Sequence, residues 1–144
     1  EFGRTLGEEL LEPTRIYAKD CLALCAETHV RTFCHVTGGG LAGNLARVIP
    51  HGLVAEMDRG TWTPAPVFAM IAQRGRIDRT EMEKTFNMGV GMVAIVAPED
   101  TDRALAVLTA RHVDNWVLGS IKRSPEPKNH DVPKVTVVGE HPRF

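Results

Sequence analysis

Little in this chain names a chemistry outright. Its formal net charge at pH 7 is -1, so no excess of either sign draws it to nucleic acid or to an anionic membrane surface. No apolar run approaches the roughly 20 residues that a membrane-crossing helix needs. Cysteine is scarce: Cys21, Cys25 and Cys34 make an odd set without Cys-x-x-Cys spacing, which argues against a disulfide framework and fits a reducing, cytoplasmic setting. There is no P-loop and no dinucleotide-binding glycine fingerprint. No acidic pair, among Glu56, Asp58 and Asp78, has metal-site spacing, and no order of Ser, His and Asp or of Cys and His argues for an activated nucleophile. Internal repeats, low-complexity tracts and interdomain linkers are missing as well. The opening Glu1-Phe2-Gly3-Arg4 is not a signal peptide and carries no starting methionine, so further sequence upstream is expected.

What is present suits one globular domain. A length of 144 residues supports a single sizeable core, and 43% hydrophobic with 24% charged residues is ordinary for such a body. The chain is organised around His35-Val36-Thr37-Gly38-Gly39-Gly40 and the following Leu41-Ala42-Gly43-Asn44-Leu45-Ala46-Arg47-Val48-Ile49-Pro50. Residues 32–36 read as a short strand. Residues 41–49 carry apolar side chains at helical spacing. Three consecutive glycines between them imply unusual backbone dihedrals or a close neighbour. A glycine turn that opens a helix exposes free N–H groups at the positive end of the helix dipole, which suits an anion, and Arg47 on the second turn can face the same anion. The loop is equally readable as a tight turn that binds nothing.

The rest of the chain alternates helix and strand. A short apolar-acidic segment over 6–12 ends at Pro13, and an extended stretch over 13–17 leads to a helix over 17–28. On that helix Cys21, Cys25 and His29 share a face with metal-ligand potential, but Ala18, Leu22 and Ala26 lie on or beside it, and free cysteine commonly packs as a small hydrophobe. The reading is a core face. Residues 53–57 form a buried strand. A helix follows Pro64 and Pro66 and stops at Gly75, and Asp78 three before Glu81 caps another short one.

The most apolar run, 88–96, reads as a central strand with two glycines, Gly89 and Gly91, near its start. Such glycines weaken a strand unless a ligand or another backbone comes close, or a bulge sits there. Pro98-Glu99-Asp100 opens a further helix, 115–121 reads as a strand interrupted by Gly119, 124–133 as a flexible loop, and 134–138 as a last, edge strand. The class is α+β, in α/β/α layers, with a mixed β-sheet covered by helices. Among the histidines His35 stands out, either as a general base or as a group that holds the glycine loop.

Two segments together are specific. His35-Val36-Thr37-Gly38-Gly39-Gly40 with Asn44, Arg47 and Pro50, and the later Phe86-Asn87-Met88-Gly89-Val90-Gly91-Met92, resemble the phosphoribosylformylglycinamidine cyclo-ligase (aminoimidazole ribonucleotide synthetase) family. Leu11-Glu12-Pro13-Thr14-Arg15-Ile16-Tyr17 resembles that family's segment between two domains, and Gly119-Ser120-Ile121 the end of its C-terminal domain. The match runs over about 10–123, with the motifs in the family's order. The pairing of the two glycine motifs favours this family over selenophosphate synthetase, thiamine-phosphate kinase and the glutamine-dependent synthetase of the preceding step, which share its two-domain plan.

The resemblance implies an ATP- and Mg2+-dependent ring closure in purine synthesis, acting on formylglycinamidine ribonucleotide in a cleft between two domains of a homodimer. The family's N-terminal domain, which mainly holds the nucleotide, is not in this sequence. Residues 1–144 are therefore expected to form the C-terminal domain alone, inactive by itself and stably folded. Its expected substrate- or phosphate-binding set is Thr37, Gly38, Gly39, Gly40, Asn44, Arg47, Asn87, Gly89 and Gly91, with His35 and Asn87 the catalytic candidates and no metal ligand. The face meeting the other domain is expected to carry both glycine motifs and exposed apolar surface. The alternative is a stand-alone anion-binding or assembly module without catalysis.

Overall fold

The structure, a computed structural model, describes residues 3–126 and 134–144. Its helices are α1 (Leu6–Leu10), α2 (Ala18–Glu27), α3 (Gly40–Leu45), α4 (Pro66–Gly75), α5 (Arg79–Thr85) and α6 (Thr101–Ala110). The strands are β1 (Val30–His35), β2 (Leu53–Asp58), β3 (Met92–Val96), β4 (Gly119–Arg123) and β5 (Val135–Val138). The fold is α+β, with the strands divided between two sheets. β1 and β3 form an antiparallel ribbon, while β2 is the centre of a mixed sheet, antiparallel to β4 and parallel to β5. β5 lies at that sheet's edge, as read from the sequence. Most of the expected loop over 124–133 lies outside the described residues. Among the described residues no helix is long and apolar enough to cross a membrane.

One core joins the two sheets. Cys34 and Val36 from the end of β1, Leu41 and Leu45 from α3, Ala55 and Met57 from β2, and Trp62 pack into a single buried cluster. Removing a side chain such as Leu45 from water contributes about 1.5–3 kcal/mol. Alternation does the sorting: Cys34 and Val36 point inward and His35 between them points out.

Several elements depart from the periodicity. The run 88–96 is neither a full strand nor central. Met88 (φ 51°) and Gly89 (φ 95°) adopt left-handed backbone, which no strand accommodates, so pairing begins only at Met92. The strand expected over 115–121 starts at Gly119, and the helix over 41–49 ends at Leu45. At the end of α4 the left-handed cap is Arg76 (φ 51°) rather than Gly75.

Helix α2 is rotated from the expected orientation and keeps only Cys21 of the expected face partly buried. Leu24 is buried and Cys21 half-buried, while Leu22 is 69% exposed and Cys25 exposed. The reason is its neighbour α6: the Arg111 guanidinium holds Asp20 (2.7 Å) and Arg103 bonds Glu27, which turns the Asp20–Leu24 side toward α6. Leu11 and Ile16, both 82% exposed, also face outward.

The packing predicts opposite outcomes at two glycines of α3. A Cβ at Gly40 stands 1.8 Å from the Glu83 carbonyl oxygen on α5, and Gly40 has φ +71°. Gly40→Ala is expected to destabilise by roughly 2–5 kcal/mol in urea melts. Gly43 meets nothing within 4 Å, so Gly43→Ala is expected to stabilise by up to about 1 kcal/mol in the same melts.

Candidate functional site

The antiparallel register places the two glycine segments side by side. His35 pairs with Met92, and one residue further the Val36 N–H donates to the Gly91 carbonyl at 2.9 Å. The chain leaving β1 and the chain entering β3 therefore lie together at one end of the ribbon.

The first segment is tied from within by Asn44, which is 5% exposed. Its Nδ2 donates to the carbonyls of Thr37 (3.2 Å), Gly38 (3.3 Å) and Gly40 (2.7 Å), and its Oδ1 accepts from the Thr37 hydroxyl (3.3 Å). Asn44 thus faces the loop's interior. A trans peptide directs its N–H opposite to its C=O. Carbonyls turned toward Asn44 consequently turn the N–H groups of Gly38, Gly39 and Leu41 away from it, while the Gly40 N–H donates to Thr37 (3.3 Å). Gly39 (φ 97°) and Gly40 (φ 71°) make this geometry possible. The N–H groups of Gly38, Gly39 and Leu41 thus lie on the outer side of the loop, the orientation that an anion-binding concavity requires.

Arg47 turns back to the same loop. Its Nη2 lies 3.9 Å from where a Cβ at Gly39 would stand, and among the described residues its guanidinium has no hydrogen-bond or ion-pair partner. Behind it Cys34 is buried, and burial pushes its thiol pKa up, with the Arg47 charge pulling weakly the other way. That cysteine is a packing group.

The second segment is a tight turn. Asn87 Oδ1 accepts from the Gly89 N–H (2.9 Å) and the Asn87 carbonyl from the Val90 N–H (3.0 Å). The Met88 carbonyl accepts a buried bond from Trp62 Nε1 (3.0 Å). Asn87 Nδ2 has no partner among the described residues. A Cβ at Gly89 would meet open space, whereas one at Gly91 would stand 1.8 Å from the Tyr17 hydroxyl. The group that approaches Gly91 is therefore a side chain of this chain.

Tyr17 also meets His35 edge to face, with ring centroids 5.8 Å apart. His35 is exposed, and among the described residues no carboxylate is bonded to it. The structure thus brings His35, the triple-glycine loop, Arg47, Asn87, Gly89 and Gly91 to one end of the ribbon, with Asn44 beneath. Tyr17 and Trp62 are the supporting residues that sequence reasoning missed. Tyr17 stood in a segment read as the approach to a helix and as resembling the family's interdomain segment, neither of which gave its side chain a role, and no pattern marked Trp62. Among the described residues no trio of His, Cys, Asp or Glu stands close enough to hold a metal ion.

Comparison with known proteins bears on this geometry. The model of the family described as AIR synthase related protein, C-terminal domain, matches residues 1–131. The chain belongs to this family. A putative phosphoribosylformylglycinamidine cyclo-ligase of Streptomyces fradiae is 64% identical over 130 residues, 90% of this chain and 71% of that protein. The cyclo-ligase of an Anaeromyxobacter species is 51% identical over 120 residues, 83% of this chain and 35% of the relative. That of Caldicellulosiruptor bescii is 41% identical over 126 residues, 88% of this chain and 37% of the relative. The chain thus spans little more than a third of the length of the latter two.

Asn44 predicts how the first segment responds to change. Asn44→Ala removes a donor shared by three loop carbonyls and is expected to cost roughly 1–3 kcal/mol. Amide exchange at Gly40, whose N–H donates to the Thr37 carbonyl, should quicken in the variant, measured by NMR.

Proposed function

We propose that this chain forms one wall of the active site of an ATP-dependent cyclo-ligase that closes the imidazole ring of aminoimidazole ribonucleotide in purine synthesis. The observation that carries the reading is the junction of the two glycine segments at one end of the β1–β3 ribbon, in a chain whose relatives are named phosphoribosylformylglycinamidine cyclo-ligase. The substrate is formylglycinamidine ribonucleotide. ATP transfers its terminal phosphoryl group to the formyl amide oxygen, and the amidine nitrogen attacks the same carbon. The C–O bond then breaks, and phosphate leaves with that oxygen.

This chain's own residues bind and orient an anion. The outward N–H groups of Gly38, Gly39 and Leu41 and the fork of Arg47 hold phosphate oxygens, either the substrate's ribose phosphate or a phosphate of ATP. Asn87 Nδ2 is a further donor toward the cleft. His35, without a bonded carboxylate, binds or positions substrate through its imidazole; as a base it would lack an orienting partner. ATP and Mg2+ belong mainly to an N-terminal domain. The working enzyme is a cytoplasmic homodimer in which that domain closes the cleft. Residues 1–144 assayed alone are expected to bind ATP weakly and to close no ring. ATP-dependent ring closure by the isolated chain would contradict this division of labour.

The structure selects a clean probe of the loop. Gly39→Val would be strained at φ +97° whatever binds there, but Gly38 meets nothing within 4 Å and has no left-handed φ. With the N-terminal domain present, Gly38→Val is expected to keep the melting temperature and lose most of kcat/KM. Arg47→Ala is expected to lose roughly ten- to a hundredfold, one charge-assisted contact. Unchanged kinetics in both would reduce the loop to a turn and favour a non-catalytic assembly module.

A further inference from the structure

Residues 134–144 lie beyond the part of the chain that the family model matches, yet they are built into the support of both glycine segments. β5 pairs with β2, and Lys134 Nζ donates to the Ile49 carbonyl (2.9 Å). After β5 the chain turns and inserts His141, whose side chain is 1% exposed, between Trp62 and Phe144, with ring centroids 4.5 Å and 5.9 Å away. Trp62 is the residue that holds the Met88 carbonyl. On the other side stands Glu83, whose backbone carbonyl abuts Gly40. His141 therefore touches both residues that brace the candidate site from behind.

We propose that residues 134–144 are a strap and that His141 is its pH-sensitive clasp, holding the 87–91 turn through Trp62 and the triple-glycine loop through Glu83 while its imidazole is neutral, and loosening both when it takes a proton. The proposal rests on the geometry of the two turns and not on the reaction assigned to them.

The protonation state follows from the neighbours. Nδ1 faces two carbonyls, those of Arg59 (3.2 Å) and Trp62 (3.4 Å). Carbonyls only accept, so Nδ1 carries the proton and Nε2 is a bare lone pair. Nε2 is buried without a hydrogen-bond partner, 3.8 Å from Glu83 Oε1. That carboxylate is already held at both oxygens by Arg59, at 2.7 Å and 2.8 Å. Arg59 also donates to the carbonyls of Val137 (3.0 Å) and Gly139 (3.3 Å) on the strap. A proton on Nε2 gives Glu83 a third cation beside Arg59 and Arg79, at the expense of the Arg59 fork that holds the strap.

The other charges nearby are Arg79, which faces Glu83 and bonds Glu140, Asp58 packed against Gly139, and Arg143 on the strap itself. Burial, the largest influence, holds the His141 pKa below its ordinary 6.5 against the two carbonyls and then Glu83, which raise it, and the Arg59 charge, the smallest influence, lowers it further. The unfolded chain thus takes up the proton first. Stability is complete above the ordinary histidine value and is lost as pH falls through the lower, folded-state value.

The test is NMR of the full chain, following the His141 imidazole and amide protection factors between about pH 5 and pH 7.5. Protection at Gly89, Val90 and Gly40, whose N–H groups are bonded within the two turns, is expected to fall with acidification, by up to about tenfold per pH unit, in step with the His141 titration. His141→Phe, which keeps a ring against Trp62, should abolish that dependence. An equal pH slope in His141→Phe would overturn the proposal, as would loss of protection in 134–144 that leaves 87–91 unaffected. Should His141→Phe fail to fold, the unaltered chain decides. Titration at or above the ordinary value, or without a linked change at 87–91, refutes the clasp.

Discussion

The hydrogen bond from the Val36 N–H to the Gly91 carbonyl closes the β1–β3 ladder, and the register it belongs to governs everything at that end of the molecule. With His35 opposite Met92, Cys34 and Val36 enter the core and His35 faces out. A slip of one residue would exchange those faces, putting an imidazole among Leu41, Ala55 and Met57 and exposing Val36. The buried alternation therefore holds the register, and the register sets the two glycine turns side by side.

The glycines at that end serve different ends. Gly40 is required by the Glu83 carbonyl and Gly91 by the Tyr17 hydroxyl, two contacts within the chain, while Gly39 and Gly89 are required by left-handed backbone. Gly38 has neither reason: open space surrounds it and its φ is ordinary. A glycine that the fold does not demand, beside outward N–H groups and an Arg47 without a partner among the described residues, is what a loop shaped for an external anion would show. Asn44 makes the arrangement rigid, because each carbonyl it gathers inward turns a neighbouring N–H outward.

Local chemistry was the legible part of the sequence. Asp78 caps α5, accepting from the Glu81 N–H at 3.0 Å as its spacing foretold, and Pro98 opens the turn into α6. The family could be named because His35, the glycines, Asn87, Gly89 and Gly91 are read as strings, independent of packing. Packing was the illegible part. Apolar residues lie on several sides of α2, so the ion pairs of Asp20 with Arg111 and of Glu27 with Arg103, 91 and 76 positions apart, tell which side faces α6. The start of β3 was misplaced because Met88, apolar and suited to a strand, takes a left-handed turn that Asn87 and Trp62 impose from either side. Tyr17, Trp62 and His141 gained their roles by proximity across the fold, and no spacing along the chain announces that.

The central claim is that the two turns make one binding surface. Its most direct test is titration of the isotope-labelled chain with formylglycinamidine ribonucleotide, followed by amide chemical shifts. The account predicts that Gly38, Gly39 and Leu41 on one turn, and Gly89 and the Asn87 side-chain amide on the other, shift together along a single binding curve. Shifts confined to one turn, or clustered elsewhere on the domain, would contradict it.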